Sequence, residues 1–155
     1  MSEPVPASGE PKRVLFACTL NRVRSPMAEA LARHFAGQRL TIDSVGVRIE
    51  DDEPDPFCLA VLDEIGLDLG RYKPKTFEDL ESPAFDLVIS LSPEAHHKAM
   101  ELTRTVPCEV EYWPSPDPTA VEGNREMRLA AYRELRDLLA KRIRERFAAA
   151  PPANL

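Results

Sequence analysis

One stretch constrains this chain more than any other: Val14 to Ala30, VLFACTLNRVRSPMAEA. Val14-Leu15-Phe16-Ala17 is a continuous apolar run, the signature of a strand covered on both faces. Cys18 ends it, Arg24 follows, and from Pro26 the residues Met27, Leu31 and Phe35, with Ala28 and Ala30, recur at helical spacing. Ser25 offers an N-cap hydroxyl, Pro26 suits the first helical position, and Gly37 is a stop. The stretch therefore reads strand, loop, helix, with a thiol and a guanidinium on the loop.

That arrangement has a definite chemistry. A loop folded before a helix N-terminus points backbone N–H groups inward, and the helix dipole adds positive potential. Arg24 can grip two oxygens of a phosphate through its planar fork. The same field favours thiolate over thiol, so one loop both binds a tetrahedral oxyanion and holds a nucleophile beside it. Asn21 tolerates a left-handed backbone, which suits a tight anion-binding loop. The Ser25 hydroxyl could support the sulfur or cap the helix, but its single proton cannot serve both.

The strand–helix unit repeats along the chain. Leu40 to Val45 reads as a second strand ended by Gly46, followed by an acidic, Pro-rich loop from Glu50 to Pro56. Phe57, Cys58, Val61, Leu62 and Ile65 mark an amphipathic helix closed by Gly66. Phe85 to Leu91 is a third, buried strand, Pro93 to Leu102 a short helix, and Cys108 to Trp113 a more exposed edge strand. Leu135, Leu138, Leu139, Ile143 and Phe147 form one face of a long last helix, with the basic run Lys141 to Arg146 on its solvent side. Such alternation predicts an α/β fold with a four-stranded parallel sheet wrapped on both faces and right-handed crossovers. Ligands in these sheets sit at the carboxyl ends of the strands, where the Cys18 loop begins. Residues 1–11 read as a disordered leader, 12–148 as one domain, and 149–155 as a frayed tail.

The sequence resembles the low-molecular-weight protein tyrosine phosphatases and the related thioredoxin-linked arsenate reductases. VLFACTLNRVRSPMAEAL is similar to their signature loop and first helix, and the likeness continues through Ser44-Val45-Gly46, FDLVISL and Asp117-Pro118, over roughly residues 13–147. The resemblance implies a flavodoxin-like three-layer fold and phosphoryl transfer through a cysteinyl-phosphate, with no cofactor and no metal. It implies that Cys18 is the nucleophile, that the loop Thr19, Leu20, Asn21, Arg22, Val23 and Arg24 holds the phosphoryl group, and that Ser25 supports the thiolate. Asp117 is then the general acid, a role the chemistry itself requires: one carboxyl group can protonate the leaving oxygen and afterwards deprotonate water.

Several positions depart from the family pattern. Leu20 stands where relatives usually have Gly, and Val23 replaces a second loop cysteine that many carry. Arg22 occupies a variable position that faces substrate in the family, and Tyr72 stands where relatives often have His. After Asp117-Pro118 this chain has Thr119-Ala120 rather than aromatic residues; Tyr112 and Trp113 read as packing on the edge strand. Ser92 lies near the position of a reductase cysteine, which makes an internal thiol cascade unexpected. His96 and His97 are adjacent and so diverge on a helix, unlike metal ligands.

Composition narrows the partners. The net charge of −6 opposes non-specific nucleic-acid binding, which depends on Lys and Arg at phosphates. No stretch approaches the ~20 apolar residues of a membrane span, and the N-terminus lacks an apolar signal-peptide core. Three widely spaced cysteines, Cys18, Cys58 and Cys108, point to a reducing cytoplasm rather than a disulfide framework. The expected partner is a phosphorylated protein or a small phosphomonoester, met by a monomer or weak dimer. Two other readings compete: an arsenate reductase using an external thiol, and a non-catalytic module that binds phosphate or a phosphoprotein.

Overall fold

In a computed structural model that describes residues 11–82 and 84–147, four strands and four helices alternate along the chain. The strands are β1 (Arg13–Cys18), β2 (Thr41–Gly46), β3 (Leu87–Ser90) and β4 (Glu109–Tyr112). The helices are α1 (Arg24–Ala36), α2 (Pro56–Asp63), α3 (Pro93–Leu102) and α4 (Arg125–Phe147). All pairings are parallel and the order is β2-β1-β3-β4, so the chain leaves β1 for one edge and returns past it to build toward the other. The doubly wound, three-layer α/β fold expected from the alternation is the one observed. The leader and tail expectations fall almost wholly outside the described residues.

Alternation along β1 sorts the core into two layers. Val14 and Phe16 face α1, α2 and α4, joining Met27, Leu31, Val61, Leu135, Leu139 and Ile143 in one buried cluster. Leu15 and Ala17 face the other way, against Val88, Phe77 and the small residues Ala95 and Ala99 of α3. Every residue of β1 from Val14 to Cys18 is buried, as a central strand of a parallel sheet requires. β4 is the half-exposed edge. Among the described residues no helix is long and apolar enough to cross a membrane.

Four details differ from the periodicity. α1 starts at Arg24 rather than Pro26, with Val23 as an N-cap that makes no side-chain hydrogen bond. Pro26 is then the third helical residue, still inside the first turn where no intrahelical N–H is needed. Phe35, expected in the core, is 38% exposed beneath the Arg144 guanidinium, 5.6 Å from its ring centre. α2 ends at Asp63, two residues before Ile65, which is 46% exposed. Gly66 is the stop that the sequence promised, at φ +77°, a conformation an L side chain resists. At the end of β4, Tyr112 stacks on His96 at 4.6 Å, and the next residue, Trp113, meets Phe16 edge-on at 6.3 Å.

Asp55 ties three elements together. One carboxylate oxygen accepts from the N–H groups of Phe57 and Cys58 at 2.7 and 3.3 Å and caps α2. The other accepts from the buried Tyr132 hydroxyl of α4 at 2.9 Å. Its own N–H donates to the Arg22 carbonyl at 3.4 Å. Asp55→Ala removes a helix cap and strands a buried hydroxyl, so it should destabilise the fold by about 1–3 kcal/mol. Urea denaturation checks this; an unchanged midpoint would mean that Asp55 is not a structural tie.

Candidate active site

The carboxyl ends of β1 and β3 open into a cleft of about 390 Å³. Cys18, Thr19, Leu20, Arg22, Val23 and Arg24 line its floor, and Asp117 stands on its wall. Asn21 and Ser25 are fully buried behind the floor. Thus the residues singled out in the sequence gather in one place, including an aspartate far away along the chain.

Cys18 is 2% exposed, and its sulfur is ringed by donors. The backbone N–H groups of Asn21 and Ser25 point at Sγ from 3.3 and 3.4 Å, and Ser25 Oγ lies 3.0 Å away. Those two N–H groups and the N-terminus of α1 all stabilise negative charge on the sulfur. The backbone N–H groups of Leu20, Arg22 and Val23 have no hydrogen-bond partner among the described residues and are donors for an oxyanion. Arg24 is held by the Ser115 carbonyl at 3.2 Å and lies 3.5 Å from the Thr19 hydroxyl, which in turn donates to Ser92 Oγ at 2.9 Å.

The loop owes its shape to Asn21, at φ +57° the one non-glycine residue with positive φ among those described. Leu20 does not take that conformation, so a glycine is not needed there. Every polar group of the Asn21 side chain is used: Nδ2 donates to Ser25 Oγ at 2.7 Å and Ser44 Oγ at 3.2 Å, and Oδ1 accepts from Lys75 N–H at 2.8 Å. Gly46 lets β2 come this close, because a Cβ there would sit 2.8 Å from Asn21 N and from the Leu20 carbonyl carbon. The Tyr72 hydroxyl completes the cradle, donating to Asn21 O at 3.2 Å; burial pushes its phenol up, so it stays neutral. Ser25 does not cap α1. Its Oγ accepts from Asn21 and lies within reach of Val45 O, 3.2 Å away, and of the sulfur. Its one proton therefore serves the thiolate, or Val45 O when the thiol keeps its own.

Behind the cradle lies Glu29, 3% exposed, accepting from Ser44 Oγ at 2.6 Å and paired with Arg33 at 2.6 Å. Burial raises its pKa, opposed by the Ser44 hydroxyl and Arg33. Sequence reasoning passed over Glu29 because it sits among the alanines of α1. It also passed over Arg48 and Glu94, which line the cleft and pair at 2.7 Å, with Glu50 3.2 Å from Arg48 on the other side. The available signal was position: Arg48 follows the end of β2, and Glu94 opens α3. Glu50 of the acidic loop borders the cleft. Arg22 is less free than expected, since its Nε donates to Glu53 O at 2.8 Å and Asp51 lies 3.5 Å away. Tyr112 and Trp113 do not line the cleft.

The other thiols stand apart. Cys58 is fully buried beneath the loop, 3.7 Å from Val23 O, and burial pushes its thiol far up. Cys108 precedes β4, at the opposite end of the sheet from the cleft.

Comparison with known proteins agrees with this geometry. The sequence pattern of the family described as "Low molecular weight phosphotyrosine protein phosphatase" matches residues 13–150. An arsenate reductase of Halalkalibacterium halodurans is 30% identical over 135 residues, covering 86% of this chain and 93% of that protein. An arsenate reductase of Bacillus subtilis is likewise 30% identical, over 139 residues covering 88% and 95%. In fold, the chain is similar to a tyrosine phosphatase of Erwinia amylovora at a TM-score of 0.71 and 16% identity, covering 90% and 93%.

The Glu29 carboxylate is charged at a cost in the folded state. Its raised pKa means that the fold binds its proton more readily than the unfolded chain does. Lowering the pH from neutrality toward the ordinary glutamate value of 4.5 should stabilise the wild type relative to Glu29→Gln, with no further relative gain below it. Paired denaturation curves across that range test the sign; a constant difference would refute it.

Proposed function

Because the chain belongs to the low molecular weight phosphotyrosine protein phosphatase family, we propose that it hydrolyses phosphotyrosine or another phosphomonoester through a cysteinyl-phosphate on Cys18. One observation carries this reading: a sulfur ringed by donors, a forked guanidinium and a carboxyl group meet in one cleft. The Cys18 thiolate attacks phosphorus in line with the leaving oxygen, and the P–O bond to that oxygen breaks as Asp117 gives it a proton. Loop N–H groups and Arg24 hold the three equatorial oxygens, whose charge they stabilise in the transition state. Water then attacks the cysteinyl-phosphate, Asp117 takes its proton, the P–S bond breaks, and phosphate leaves with the thiolate restored. Ser25 steadies the sulfur as a leaving group. Substrates are phosphorylated proteins or small phosphomonoesters, in a reducing cytoplasm that keeps all three thiols free.

A second reading is supported by the named activity of the two relatives at 30% identity. Arsenate has the shape and charge of phosphate and fits the same cradle. Reduction would require a second thiol to attack the arsenylated Cys18. Cys58 is buried and Cys108 remote, so that thiol would have to come from outside the chain.

Hydrolysis of p-nitrophenyl phosphate is expected from the wild type and none from Cys18→Ser; wild-type protein inert between about pH 5 and 8 would overturn the proposal. Thiol-dependent loss of arsenate without aryl-phosphate turnover would favour the reductase. Asp117→Asn should slow poor leaving groups by about 10²–10⁴-fold and good ones much less. An equal loss for every leaving group would remove Asp117 as the acid.

A further inference from the structure

Proton transfer from Asp117 demands more than its presence on the cleft wall. Asp117 is exposed, and an aspartate carboxyl group turns easily about its last torsion, so something must decide which oxygen faces the leaving group. One oxygen is spoken for. Oδ1 accepts from the Thr119 hydroxyl at 2.6 Å and from the Thr119 backbone N–H at 3.0 Å. No partner of Oδ2 exists among the described residues. Between the two residues lies Pro118, whose ring fixes its φ and whose side chain is buried, so the short turn Pro118–Ala120 cannot drift from the wall. Both Asp117 and Thr119 line the cleft.

Resting on the phosphatase reading, we infer that Thr119 is a positioning residue that locks the Asp117 carboxyl group so that Oδ2 alone trades protons with leaving group and water. Two donors on Oδ1 hold that oxygen against the Thr119 turn and leave Oδ2 without a partner. The fixed torsion also keeps Oδ2 aimed at the oxygen that departs and then at the water that arrives. Neither task needs the Thr119 methyl group; both need its hydroxyl. The backbone N–H remains in any variant, so the hydroxyl contributes only part of the lock.

A series of aryl phosphates with graded leaving groups reads this out. Thr119→Val keeps the shape and loses the hydroxyl; it should slow kcat/KM about tenfold for poor leaving groups and scarcely for p-nitrophenyl phosphate. Thr119→Ser should restore the wild-type pattern, and adding Thr119→Val to Asp117→Asn should change nothing further. A uniform loss, no loss, or a loss that persists in the Asp117→Asn background would each overturn the inference. NMR order of the Asp117 side chain gives a reading independent of turnover: it should fall in Thr119→Val and recover in Thr119→Ser. Unchanged order would overturn the inference whatever the activity, while an inert wild type with the expected loss of order would sink only the phosphatase reading.

Discussion

The site depends on one buried side chain in an unusual backbone conformation. Asn21 holds the loop at φ +57° while its amide grips Ser25, Ser44 and the Lys75 N–H. A left-handed residue costs conformational energy unless its surroundings over-determine it, and these three partners supply that determination. The consequence reaches the sulfur, because the turn at Asn21 is what brings two backbone N–H groups back onto Cys18. Glu29 sets the direction of the network. As an acceptor it takes the Ser44 proton, so Ser44 must accept from Asn21, which leaves Ser25 accepting from Asn21 and free to give its own proton to sulfur.

Much of this was legible in the chain because it is local. Cys18, Arg24 and the helix start lie within a single strand–loop–helix unit, and the periodicities on either side fix where that unit sits in the sheet. Asp117 was legible only through the requirement for an acid and the resemblance that located it. The cradle behind the loop was only partly so: the resemblance marked Ser44 and Tyr72 without giving them a role, and Glu29 stood in no pattern, because the three converge from separate segments. Arg48 and Glu94 escaped for a different reason: each looks like an ordinary surface charge until the sheet order places both beside β1. The misplaced core residues have physical causes as well. Ile65 fits the helical stripe, but the turn closed by Gly66 ends the helix first, and Phe35 is covered from outside by an arginine.

Family membership leaves the choice of oxyanion to a few positions. The free N–H groups of the loop and the Arg24 fork suit a tetrahedral oxyanion by shape and charge, which phosphate and arsenate share; what separates the two proposed chemistries is the next reactant to arrive. A carboxyl group on the wall suits the cleft to water and protons, whereas Cys58 is buried and Cys108 lies at the far end of the sheet, so neither stands beside Cys18 as an internal reductant. The rim, built from Arg22, Arg48, Glu50 and Glu94 without an aromatic ring, gives the mouth of the cleft a charged rather than a stacking surface.

Asp55 gives the molecule a property that no single contact conveys. Through its backbone N–H and its carboxylate, the rim of the loop at Arg22, the start of α2 and the middle of α4 all meet at one residue. Segments joined in this way open together or not at all, as one cooperative unit. The last helix is therefore part of what holds the Cys18 loop in place, although it contributes no residue to the floor of the cleft. Fraying that spreads inward along α4 as far as Tyr132 would loosen the loop nearly as surely as a change within it.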